Sequence, residues 1–156
     1  MKKEMKTIEY RGGVVSFQIP RHWKEEYEPD GGGTFYEDAP ETGTLRLNVI
    51  TSEARQGTLP STGYDFLRRE SSGEQAEILR LPSGDGMKHY LKKAEEDGTS
   101  LDIHFWEIAH CVPPKTLYLA IFSWTVSTEH AKKAESHEEI QMIIEELKNI
   151  HFYPDL

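Results

Sequence analysis

The sequence predicts an α+β fold: an antiparallel β-sheet with a C-terminal amphipathic helix and a short mid-chain helix packed on it. Three observations carry that expectation. Ile140, Ile143, Ile144, Leu147 and Ile150 recur at helical spacing near the end of the chain. Ahead of them lie strand-length apolar runs separated by Gly, Pro and Asp turn signals. Between two of these runs stands Asp97-Gly98, the dipeptide that a tight type I′ hairpin favours.

Taken in order, Lys6 to Tyr10 and Val14 to Ile19 read as strands joined by a two-residue turn at Gly12-Gly13. Val15, Phe17 and Ile19 share one face of the second strand, and Pro20 stops it. Glu28 to Gly33 is a loop, Thr34 to Glu37 a short strand, and Asp38 to Gly43 a turn. In the strand Thr44 to Thr51, Leu45, Leu47 and Val49 face inward. Thr58-Leu59-Pro60 leads into a helix over Thr62 to Glu70, which Thr62 and Asp65 cap. Ala76 to Leu81, Met87 to Glu95 and Ser100 to Cys111 are strands, with Val112-Pro113-Pro114 breaking the pairing. Leu117 to Val126 is apolar on both faces, as in a central strand covered on both sides. Ser136 with Glu139 fits a capping box and sets the expected start of the last helix, with Glu145 and Glu146 off its apolar face. Its expected cover is the strand Leu117 to Val126, and His130 to Glu135 reads as a preceding helical turn.

The chain has 156 residues, 37% hydrophobic and 29% charged, which suits one globular domain with a core of its own. Its 18 Lys and Arg against 27 Asp and Glu give a net charge of −9, which repels phosphate backbones. The basic pairs Arg68-Arg69 and Lys92-Lys93 are too short to offset this, so no nucleic-acid partner is expected. The single cysteine, Cys111, excludes a disulfide within the chain. The basic start, Met1 to Lys6, is not followed by the apolar stretch of a signal peptide, and no run approaches the roughly 20 apolar residues of a membrane span. Cytoplasm is the expected location.

Several features follow one another in a familiar order. Ile19-Pro20 precedes Trp23; a Gly-rich loop, Phe35-Tyr36 and the apolar strand Leu45 to Ile50 come next; a terminal helix closes on Ile150-His151-Phe152. In this layout, which spans most of the chain, the sequence resembles the Mog1/PsbP-like superfamily, including its DcrB-type bacterial proteins. The resemblance implies an antiparallel sheet with helices packed on it. It also implies binding proteins rather than catalysts: photosystem accessory subunits, a Ran GTPase partner, chaperone-like adaptors of secreted effectors. It supplies no catalytic motif, so it transfers no functional residue. The missing signal peptide departs from the exported members.

With Asp97-Gly98 as the turn, Glu96 faces Thr99, Lys93 faces Asp102 and Lys88 faces Glu107, two opposite-charge pairs that support the register. His89 then lies opposite Trp106 and diagonal to His104, about 7–8 Å away between backbones. Two imidazoles that close, with Asp102 on the same face, suit anion binding, proton transfer or metal binding. A mixed, partly exposed face with ordinary histidines is the simpler reading. A metal needs a third close ligand, and Asp102 alone offers itself, so no metal and no cofactor is assigned. His89, His104, Trp106 and Asp102 are the candidate binding surface, with no catalytic residue among them.

Other features carry less. His104 and His110 are too far apart along one strand, roughly 20 Å, to share an ion. His110 and Cys111 point to opposite faces, which argues against a nucleophilic dyad. Gly31-Gly32-Gly33 is followed by a strand rather than a helix and reads as a turn, not a phosphate cradle. Glu37, Asp38 and Glu41 belong to a solvated turn. Trp124 is core; Trp23 and Trp106, among polar neighbours, suit either binding anchors or the margin of the core. The expected function is therefore a non-enzymatic protein-binding, accessory or chaperone-like domain of unknown partner. The alternative is a small-molecule-binding protein or enzyme, with a pocket between sheet and helix lined by His89, His104 and Trp106.

Overall fold

The computed structural model describes residues 4–53, 59–60, 62–71, 73, 75–112 and 115–153. Alternation builds its N-terminal ribbon. Strands β1 (Met5–Tyr10) and β2 (Val15–Pro20) pair antiparallel, with Met5 opposite Pro20 and Tyr10 opposite Val15. Ile8, Tyr10, Val15, Phe17 and Ile19 turn inward and are buried. The link between the strands is not the expected two-residue turn. Register leaves residues 11–14 unpaired, and Arg11, Gly12 and Gly13 run at positive φ of 49°, 71° and 99°. Two glycines make that left-handed run affordable.

The larger sheet follows in chain order as β3 (Lys24–Tyr27), β4 (Gly33–Tyr36), β5 (Thr44–Glu53), β6 (Glu77–Arg80), β7 (Gly86–Glu96), β8 (Thr99–Val112) and β9 (Thr116–Ser127). Its spatial order is β3-β4-β5-β9-β8-β7-β6, antiparallel at every step. β9 is central, as expected, but it is not covered equally on both sides: Ala120, Phe122, Trp124 and Val126 are buried, while Leu119, Ile121, Ser123 and Thr125 on the other face are half-buried. The β7–β8 turn is as expected, with Asp97 and Gly98 at φ of 50° and 81°. Glu96–Thr99, Lys93–Asp102 and Lys88–Glu107 all stand opposite one another. The break expected at Pro113-Pro114 lies outside the described residues, as does Thr58.

Among the described residues the α-helices are α1 (Gly63–Glu70), α2 (Thr128–Ala131) and α3 (Ala134–Lys148). Two residues, β10 (His151–Phe152), then return to pair with β2. Thr62 caps α1 as predicted, its hydroxyl accepting from the Asp65 N–H at 3.1 Å. The start of α3 differs from expectation. It begins at Ala134, and Ser136 is fully buried within its first turn instead of capping it. Glu139 does not reach back to the backbone; its carboxylate meets His130 Nε2 at 3.2 Å. The cap lies earlier, at Ser127, which accepts from the His130 N–H at 3.1 Å and opens α2.

The core lies between the two sheets. Phe17 of β2 meets Phe35 and Phe122 edge-on at 5.5 and 5.1 Å, and Trp23 stacks on Trp124 at 5.5 Å. Both Trp23 and Trp106 are buried, so neither is a surface anchor. α3 runs beside β2, not along β9 as expected, and sends Ile143 and Leu147 into the same core as Phe122 and Trp124. α1 covers one end of the opposite face, where Leu67 packs with Ala109, Cys111 and Leu117. Gly63 permits that approach: a Cβ there would stand 1.7 Å from the Ala109 carbonyl oxygen. No helix among the described residues is long and apolar enough to cross a membrane.

Candidate functional site

The β7–β8 register brings the predicted histidines together. His89 Nε2 and His104 Nδ1 are 3.0 Å apart, and the two rings are within 17° of parallel. His89 also stacks on Trp106 at 5.1 Å. At 3.0 Å one ring nitrogen donates and the other accepts, so the pair is satisfied while neutral. Burial lowers the pKa of both. The charge of Glu77 partly offsets this for His89, and the repulsion of His89 adds to it for His104.

Asp102 and Trp106 have other roles. Trp106 has no exposed surface and belongs to the core beside the pair. The Asp102 carboxylate accepts from Lys93 Nζ at 2.7 Å and Thr128 Oγ1 at 2.8 Å, tying the hairpin to the first turn of α2. Burial pushes its pKa up, but those two bonds together with the charges of Lys93 and His104 hold it below the usual range. Asp102 is thus committed to structure. Among the described residues no group of three His, Cys, Asp or Glu is placed to hold a metal ion.

His110, His130 and Cys111 are enclosed as well, whereas His22, His137 and His151 are exposed. His110 Nδ1 lies 2.8 Å from Asp85 Oδ1, and its ring stacks on Phe152 at 4.8 Å. Cys111 points to the α1 side of the sheet, where burial first and Asp85 second raise its thiol pKa to about 11. A thiol that holds its proton is a poor nucleophile. The Gly31–Gly33 loop is a hairpin connection, with Gly31 and Gly32 at φ of 107° and 110°. The Gly32 N–H donates to Tyr10 Oη at 2.6 Å.

A groove of about 510 Å³ opens instead between α3 and the β1–β2 ribbon. Met5, Pro20 and Met142 give it apolar walls. Glu37 and a stripe of α3 supply the rest: Glu135, Glu138, Glu139, Glu145 and Glu146. With Met142, these positions repeat at helical spacing along the side of α3 next to its buried face. Glu37 meets His22 at 3.2 Å and Glu145 meets Lys148 at 3.6 Å, while Glu135 and Glu138 make no ion pair among the described residues. None of His89, His104 and Trp106 lines this groove. The stripe is present in the sequence, but its neighbours Met5 and Pro20 are set by the pairing that places them opposite each other.

Fold and groove together define an α+β protein with an acidic, partly apolar furrow beside its C-terminal helix. No family model matches the chain, and no curated protein does. Its fold is similar to that of a protein from Bacteroides thetaiotaomicron VPI-5482 known from a crystal structure, with a TM-score of 0.65 and 20% identity. That likeness covers 96% of this chain and 49% of the other, so the chain spans about half the length of that protein.

Proposed function

We propose that this chain is a non-enzymatic protein-binding or accessory domain that docks a positively charged segment of another protein in the groove beside α3. The groove is the observation that carries this reading. Methionines flanked by carboxylates give an adaptable apolar contact within a field that attracts cations. The Mog1/PsbP-like layout points in the same direction. The candidate histidines His89 and His104 lie outside the groove and are bonded to each other.

A photo-crosslinking side chain at Glu138 tests the proposal in the native host. It should capture a discrete partner whose cross-linked peptide is rich in Lys or Arg. The yield should fall at least tenfold when Glu135→Lys and Glu145→Lys are combined. Capture that is unchanged by the reversal, or an acidic cross-linked peptide, would sink the proposal.

A further inference from the structure

The outer edge of β7 is paired for less than half its length. β6 covers it only from Gly86 to His89, whereas β8 pairs the inner side through Glu96. From Tyr90 to Glu96 no strand lies against the outer edge among the described residues. Such an edge is a template for another strand. Leu91 is 47% exposed there, and residues 92–100 are all exposed.

We propose that this edge pairs with the same edge of a second copy, antiparallel, about a two-fold axis through Ala94. Two independent constraints select that register. The first is hydrogen-bond parity. Asp97-Gly98 makes Glu96–Thr99 the bonded pair that closes the hairpin, so Tyr90, Lys92, Ala94 and Glu96 bond inward to β8. Leu91, Lys93 and Glu95 direct their N–H and C=O groups outward, and a new ladder must join these odd positions to one another.

The second is charge. The edge reads Lys92-Lys93-Ala94-Glu95-Glu96. With the axis at Ala94, Lys93 meets the partner's Glu95 and Lys92 meets the partner's Glu96, and symmetry repeats both pairs. Moving the axis to Lys93 or Glu95 sets like charges face to face, which is unfavourable. Ala94 falls at a non-hydrogen-bonded crossing, where strands come within about 4.5 Å and a methyl group fits. Lys93 already bonds Asp102 at 2.7 Å with 63% of its side chain exposed. The partner's Glu95 would approach it from the other side on the same face of the sheet.

Scattered lysines on an edge discourage pairing; two lysines followed by two glutamates around a small central residue are self-complementary. The net charge of −9 on each copy opposes association, but screening over about 8 Å at physiological salt leaves the neutral edge to decide contact. A ladder this short makes the dimer weak and concentration-dependent.

Sedimentation velocity from micromolar to near-millimolar protein tests the proposal. The native chain should shift from monomer to dimer. Lys92→Glu with Lys93→Glu, and separately Glu95→Lys with Glu96→Lys, should each stay monomeric. Mixing the two variants should restore a dimer, because the reversed edges complement each other. Independently, Ala94→Cys should oxidise to a disulfide-linked dimer much faster than Ser100→Cys; the native Cys111 is buried. A native chain that stays monomeric overturns the inference. So do reversed variants that dimerise like the native chain, a mixture that stays monomeric, or cross-linking at Ser100→Cys as fast as at Ala94→Cys.

Discussion

His89 and His104 show how a local pattern found the right residues and misjudged their setting. Strand parity placed the rings together, and they are hydrogen-bonded at 3.0 Å. Parity could not show that Trp106 beside them would be fully buried in the core, or that Asp102 would be claimed by Lys93 and Thr128. Those contacts depend on α2 and on distant strands. The pair nevertheless carries a pH signature. Both folded-state pKa values are lowered, so as pH falls the unfolded chain takes up protons at these positions first. Their contribution is complete above the unfolded value of about 6.5 and declines as pH drops below it toward the folded values. Urea midpoints should therefore fall between pH 7.5 and pH 5.5. A variant combining His89→Gln and His104→Gln keeps a side-chain hydrogen-bonding pair without the titration and should show a shallower fall. Equal slopes in the two proteins would show that the other histidines set the dependence.

Elements were legible where one strong local signal agreed with burial. The β7–β8 hairpin was readable to the residue because Asp97-Gly98 fixes the turn and the Lys93–Asp102 and Lys88–Glu107 pairs fix the register. β3 was not readable: Lys24 to Tyr27 are all exposed and show no alternation, so only its ladder with β4 makes it a strand. For α3 the periodicity gave the right face and the Ser136–Glu139 pattern the wrong start. Ser127 had already capped a helical turn, and the chain is helical again by Ala134. The groove was half legible, through the glutamate spacing of α3 but not through Met5 and Pro20. That the buried face of α3 anchors it to the core is testable by truncation. Leu147 is 1% exposed and Ile50 is 46% exposed. Leu147→Ala should cost about 2–5 kcal/mol in urea unfolding. Ile50→Ala, the same class of change on open sheet, should stay within about 0.5 kcal/mol. Comparable losses at the two sites would contradict the placement of α3.

At the scale of the molecule, the two ends of the chain close the fold together. β10 pairs with β2, setting Phe152 opposite Val15 and His151 opposite Ser16. Phe152 is 2% exposed and lies flat on His110 of β8, within 3° of parallel. One side chain near the C-terminus therefore bridges the N-terminal ribbon and the seven-stranded sheet. β5 and β9, also distant in sequence, pair over ten residues from Thr44–Thr125 to Glu53–Thr116. Such non-local pairing leaves little that can form alone, and it favours folding in the millisecond-to-second range over faster regimes. If the two sheets are one cooperative unit, Phe152→Ala should cost about 3–5 kcal/mol, as a central aromatic would. Unfolding should remain a single transition that coincides by tryptophan fluorescence and by circular dichroism. Fluorescence reports the three buried tryptophans, Trp106 on β8 and the stacked pair of Trp23 and Trp124, whereas circular dichroism reports both sheets. A fluorescence transition that comes first would mean that the ribbon separates before the larger sheet melts, and that β10 fastens two units of independent stability.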